Sequence, residues 1–369
     1  MRKFFLFALV LTVLAGGYFV LTYDVPSAMA IHKEMKTYEG TVYVAGMGGH
    51  FAKAVISIDP ASPEPITVKE LDRIVIGDKK SHPVHDARVD AANPTVMYWS
   101  TYKKDAGGKV HVGKSDLKTG KVITDAALDL DPRATWVDAI YCASGQSKAN
   151  FIPVTMTDEA YIDVFDKATL KHKHRVFLDS LGYGPKSYKF FHGINSPDMK
   201  KFVVAINKVG ADGKPSGNID MVLLDLPALE EGKVKVIKQG KLTGAPGDTL
   251  TFRQSFTPDG KYLLQSGADR FYVLDGNTLD LVDERPIPEG QNHDAISTPD
   301  GKYAVITLRV PAVSKADPEG KSATDGAIQL YDIAGKRLLG KPVSTCFGCH
   351  EKMSIAGNAT LCGADAAWK

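Results

Sequence analysis

From Thr41 to Val343 the chain is built of short runs in which apolar and polar residues alternate, broken by turns rich in Gly, Asp and Pro. A period of two puts successive side chains on opposite faces of a strand, so these runs predict strands, not helices. The runs repeat as units. Each opens near a polar or His-containing turn, meets a Pro-Asp-Gly-Lys type turn, enters an alternating strand, and closes with a second strand ending in Asp. Phe252–Tyr262 and Asn292–Tyr303 are the clearest copies, with Phe191–Phe202 a weaker one. Leu263-Leu264, Ala304-Val305-Ile306 and Val203-Val204-Ala205 follow them as strand cores. The closing runs also match one another: Ala160–Asp166, Asp220–Asp225, Arg270–Asp275 and Ala327–Asp332. A further short strand, such as Lys336–Leu339, follows the last of these.

Units of roughly 40–50 residues holding four strands are the signature of propeller blades. Pro presets φ for the turn and Gly tolerates positive φ, which explains the recurring Pro-Asp-Gly. The 34 Gly of the 369-residue chain support an all-β reading, and 44% hydrophobic residues supply a core without disulfide staples. Six units are legible. Asp212–Gly217 and Ser314–Asp325 interrupt them as polar stretches and read as long exposed loops. Thr41–Gly46 is a candidate partner for the last unit in closing the ring. A net charge of +2 with scattered Lys and Arg argues against a nucleic-acid partner. Neither a nucleophile elbow, a phosphate loop nor a His-Glu-x-x-His motif supports hydrolase or nucleotide chemistry.

The turn-and-strand grammar of Ser/Thr-Pro-Asp-Gly-Lys-Tyr followed by a strand ending in Leu-Asp resembles the YVTN and cytochrome d1-type (nitrous oxide reductase-like) β-propeller superfamily. That resemblance spans nearly all of 41–343. It implies a β-propeller, with seven blades as the superfamily precedent and six as the alternative. It implies little about function, because such scaffolds carry unrelated activities.

The N-terminus reads as an export signal. Arg2 and Lys3 precede the apolar Phe4–Leu14, and Ala28-Met29-Ala30 forms a cleavage pattern. Apolar character continuing to Leu21 keeps an uncleaved anchor over residues 4–23 open as well. Residues 1–30 are thus a signal peptide or a membrane anchor, and both readings place the folded body in the periplasm or otherwise outside the cytoplasm.

Of four Cys, three crowd near the end: Cys346, Cys349 and Cys362. Cys346-Phe347-Gly348-Cys349-His350 is a c-type haem attachment motif. Two thiols at this spacing reach the two vinyl groups of one porphyrin, and the adjacent imidazole of His350 lies beneath the iron as axial ligand. Export independently satisfies the condition for attachment. Competing readings are a zinc site of Cys346, Cys349, His350 and Cys362, or a thioredoxin-like redox pair. Only Glu351–Lys369 follow His350 here, too few for the helical wrap of a cytochrome domain, so 344–369 reads as a short haem-binding tail. Cys142 reads as a small buried hydrophobe, with pairing to Cys362 left open.

Several of the ten His fall near equivalent points of the repeat: His50, His85, His192 and His293, with His82 beside His85. Innermost strands line a propeller's channel, so repeat-equivalent residues converge there. The superfamily resemblance implies haem d1 or copper for such a His set, and Arg88, Arg253 and Arg309 as carboxylate or anion binders. Counted back from the turn prolines, however, His293 and His192 are out of step by one residue. His32, His111, His172 and His174 read as solvated surface residues.

The leading expectation is an extracytoplasmic electron-transfer protein with one haem c, an oxidoreductase component whose propeller serves as docking surface for a redox partner protein or as a second cofactor site for a small-molecule substrate. Against it stand a cofactor-binding or maturation propeller without turnover, and a structural propeller with a Cys/His zinc site.

Overall fold

The Pro-Asp-Gly turns set the strand boundaries. In the computed structural model Gly260 and Gly301 have φ of 71° and 70°, the left-handed region that glycine enters without a Cβ penalty. Each turn is closed by its own side chains. The Thr257 hydroxyl donates to Asp259 at 2.6 Å and the Lys261 amide donates to the same carboxylate at 3.0 Å. Thr298 and Asp300 repeat the bond at 3.1 Å. The third copy carries Met199 at the left-handed position, with φ of 56°. The structure describes residues 36–46, 48–134, 140–157, 159–313, 322–345 and 361–369. The expected signal segment and the Cys346–His350 motif lie outside the described residues.

Six four-stranded antiparallel sheets form the blades. Blade 1 holds β1 (Tyr38–Gly46), β2 (His50–Ile58) and β3 (Ile66–Val75). Blade 2 holds β4 (Val84–Val89), β5 (Val96–Thr101), β6 (Val110–Asp116) and β7 (Val122–Leu128). Blade 3 runs through β8 (Tyr141–Gln146), β9 (Asn150–Thr155), β10 (Tyr161–Asp166) and β11 (His172–Phe177). Blade 4 follows with β12 (Tyr188–Asn195), β13 (Lys201–Val209), β14 (Pro215–Asp225) and β15 (Val236–Thr243). Blade 5 comprises β16 (Gln254–Phe256), β17 (Tyr262–Ser266), β18 (Arg270–Asp275) and β19 (Leu281–Pro286). Blade 6 comprises β20 (Gln291–Ser297), β21 (Tyr303–Val313), β22 (Ser322–Asp332) and β23 (Arg337–Ser344), and β24 (Leu361–Trp368) returns to blade 1.

The sheet order β24-β1-β2-β3 shows how the ring closes. The innermost strand of blade 1 comes from the far end of the chain, with Tyr43 opposite Asp365 and Gly40 opposite Trp368. Without β24, β1 would present an open edge. The propeller therefore reaches beyond 41–343 in both directions, and part of the expected 344–369 tail is a blade strand. The blade number is six, the count legible in the repeat, rather than the superfamily's seven. Two stretches expected as loops are partly strand, as far as their described residues show. Pro215–Gly217 begins β14 and Ser322–Asp325 begins β22.

Packing follows the ring. Among the described residues six large buried apolar clusters are each shared by two neighbouring blades, besides a small one around Cys142 and Met156. Blades 1 and 6 share Val42, Ile56, Val305 and Leu330; blades 3 and 4 share Ile152, Ile162, Phe202 and Leu224. Inner and second strands are buried on both faces, whereas the outermost β7 and β15 are mostly exposed. This gradient is what stacking twisted sheets around an axis produces.

Candidate metal centre

A four-stranded meander returns the chain to the rim from which it started, so all inner strands begin at one end of the channel. This end is called the entry rim below. Thr345, after β23, and Leu361, at the start of β24, both belong to it. Thr345 is buried, and its amide and hydroxyl donate to the Gly326 carbonyl at 2.7 and 2.8 Å.

At the entry rim the inner strands carry an irregularity blade after blade. The register of β4 on β5 shifts between Val84 and Asp86, leaving His85 as an extra residue. The same occurs at Cys142, between Tyr141 and Ala143, and at His293, between Asn292 and Asp294. In blade 4 the shift falls between Lys189 and Phe191, and in blade 1 it takes up Cys362 and Gly363. In blade 5 the Phe252 amide and Arg253 carbonyl both bond Ser266. A bulge bends the strand and re-aims its side chain. Here the bulges turn His85, Cys142 and His293 toward one point.

One ligand atom from each of these three residues lies within 4.8 Å of the others. His85 Nε2 is 3.8 Å and His192 Nε2 is 3.1 Å from Cys142 Sγ. Cys142 is buried, 1% exposed. Met156 packs against it, with Tyr102 alongside. His85 also meets Tyr102 edge-on at 4.0 Å, and Phe252 covers His293 at 4.5 Å. Neither ring nitrogen of the fully buried His293, nor Nδ1 of His85, has a hydrogen-bond partner among the described residues. Each such orphan costs about 1–3 kcal/mol.

Arg253 fixes the electrostatics. It reaches across from blade 5, 1% exposed, and donates to Asp86 and, at 2.9 Å, to the His85 carbonyl. Asp294 stands 3.8 Å from it. Gly363 makes room, since a Cβ there would lie 1.9 Å from the guanidinium. Burial works to lower Arg253, yet Asp86 and Asp294 outweigh it and hold it above its ordinary value. Burial pushes Asp294 up to about 6, against the pull of Arg253 and Arg88. Burial, reinforced by Arg253 and Arg309, keeps His85, His192 and His293 well below the usual imidazole range. At neutral pH these rings are neutral, the form that ligates metals.

The structure places His85 and His293 with Cys142 within 4.8 Å, and His192 Nε2 3.1 Å from the Cys142 sulfur. His50 opens β2, two strands out from the innermost strand of its blade, and is buried outside the converging donors. Arg253 is ion-paired to Asp86, with Asp294 3.8 Å away. Arg88 lies 3.6 Å from Asp365, and Arg309 donates to Gln291 at 2.9 Å and covers Phe252. His111 is not solvated: it is buried in blade 2, with Nδ1 2.9 Å from Asp125, which also contacts His82 at 2.9 Å. His172 is half-buried, 2.9 Å from Asp163. Cys142 and Met156 were not legible as site residues, because neither belongs to a spaced motif.

No family model and no curated protein matches this sequence. Among solved structures the chain is similar to a Kuenenia stuttgartiensis hydrazine synthase chain at 15% identity. That match covers 77% of this chain and 74% of the other, with a TM-score of 0.46.

Proposed function

We propose that this chain is an exported electron-transfer protein carrying one covalent haem c on Cys346, Cys349 and His350. The observation that carries the reading is the Cys-x-x-Cys-His motif itself, whose donor set of two thiols and an adjacent imidazole fits one porphyrin and its iron. The haem supplies a one-electron Fe(III)/Fe(II) couple. The chain's own contribution is to anchor it: the segment enters from buried Thr345 and leaves into β24, so it is tied to the propeller at both ends. The propeller then acts as the rigid mount and docking face for a redox partner protein outside the cytoplasm.

The test is a denatured pyridine haemochrome spectrum of protein exported in a host with haem-attachment machinery. One c-type haem per chain is expected, and Cys349→Ala should reduce it to a single thioether adduct or none. A chain that emerges folded, haem-free and holding zinc on Cys346, Cys349 and His350 would replace this reading with the structural one.

A further inference from the structure

We infer that the entry rim of the channel binds one copper ion through His85, Cys142 and His293. The inference stands independently of the haem, because it uses none of the residues of that motif.

Three observations carry it. The first is convergence: bulges in three different blades aim an imidazole, a thiol and a second imidazole at one another, with donor atoms within 4.8 Å. Metal–ligand bonds of about 2.0–2.3 Å place the donors of one ion about 3.5 Å apart. The His85 Nε2 to Cys142 Sγ separation of 3.8 Å already approaches that figure. The second is dissatisfaction. His293 is fully buried with both ring nitrogens unpartnered among the described residues. A buried polar atom without a partner calls for a missing one. A metal at the convergence point takes up one nitrogen of each ring.

The third is the character of the donors. A thiolate with two imidazoles is the set that copper favours, and a thioether completes it as a weak axial neighbour. Met156 packs directly against Cys142. Charge points the same way. One thiolate and Cu(I) sum to zero, which suits a site without solvent contact. Zinc would leave a net positive charge beside Arg253 and Arg309, in a channel where burial already makes charge costly. His192 Nε2, 3.1 Å from the sulfur, is placed to donate to the bound thiolate and to hold it in line. Phe252 and Tyr102 wall the site with aromatic faces.

The motif thiols also bind copper, so the test uses exported protein carrying Cys346→Ala and Cys349→Ala. Metal-free protein is titrated with Cu(I) without oxygen, in competition with a chromogenic Cu(I) chelator. One equivalent is expected to bind, and the oxidised form should show an intense thiolate-to-copper charge-transfer band. Loss of an outer-shell partner weakens a metal site about 10–100-fold, and loss of a ligand should weaken it at least as much. Cys142→Ser should abolish the band, and His293→Gln should lower affinity by that factor while leaving the melting temperature of the metal-free protein close to the parent's. Copper retained in full by folded Cys142→Ser, zinc bound with copper excluded, or no metal bound by the folded parent would each overturn the assignment.

Discussion

At the scale of single residues, the turn glycines and the channel histidines respond to different physics. Gly260 sits at φ 71° with open space, since a Cβ would come no closer than 3.8 Å to Pro197. Gly260→Ala therefore isolates the left-handed backbone cost and should lower stability by about 1–2 kcal/mol in urea denaturation. The histidines govern pH dependence. Unfolded imidazoles take up protons below about pH 6.5, whereas the three buried ones stay neutral. Their contribution is thus complete above that pH and falls away as acid is added, by about 1.4 kcal/mol per pH unit for each His. Asp294 works in the opposite sense. Raised to about 6, it favours the folded state most below the unfolded carboxylate value and loses that contribution as pH rises through about 6. Asp365, also raised by burial, acts in the same sense as Asp294, and the three histidines outweigh the two carboxyls. Metal-free protein should lose stability between pH 7 and 5.5, with a shallower slope in His293→Gln; a flat or rising profile in the parent would contradict the burial argument.

At the scale of elements, the strands and turns were readable because alternation and Pro-Asp-Gly chemistry are local. The channel was only partly readable, and the bulges explain why. Counting from Pro197 and Pro299 puts His192 and His293 one residue out of step, but the count assumes an unbroken ladder. The register slips at Phe190 in blade 4 and at His293 in blade 6, so equal offsets in sequence do not mean equal positions in space. Cys142 was hidden for a related reason. It has no spaced partner in the sequence, and only its bulge brings it to His85 and His192. The closing strand was obscured by the haem motif just before it, which drew 361–369 into a tail. Trp368 shows what that strand contributes: its indole donates to the Ser297 carbonyl of blade 6 at 3.0 Å, and its ring lies over Gly40, where a Cβ would come within 2.6 Å. Trp368→Ala should cost about 2–3 kcal/mol, somewhat less than a fully buried tryptophan, by chemical denaturation.

At the scale of the whole molecule, residues 36–369 form one compact unit that contains all six blades and their clusters. Among the described residues no helix is long and apolar enough to cross a membrane. A chain starting at Lys36 and made in the cytoplasm should melt with the same cooperative transition as metal-free exported protein carrying Cys346→Ala and Cys349→Ala. On the proposed function it should also lack covalent haem, because attachment would occur outside the cytoplasm and the export signal proposed for residues 1–30 is gone. A cytoplasmic product with full haem occupancy would separate the motif from export and would remove one support of the proposed function.

The pairing of Tyr43 with Asp365 has a temporal meaning as well. Blade 1 receives its first three strands early in synthesis and its innermost strand at the end, so the longest loop closure in the molecule is also the last one possible. Blades 2 to 6 can assemble while β1 still waits, and the ring becomes topologically complete only when β24 docks. Pulse-labelled hydrogen exchange during refolding should find the β1 and β24 amides protected after those of β13 and β14. On the proposed export route the Cys346–His350 stretch would cross before β24 does. The proposed haem attachment would then have a window in which the chain is still an open arc, and docking of β24 would end it.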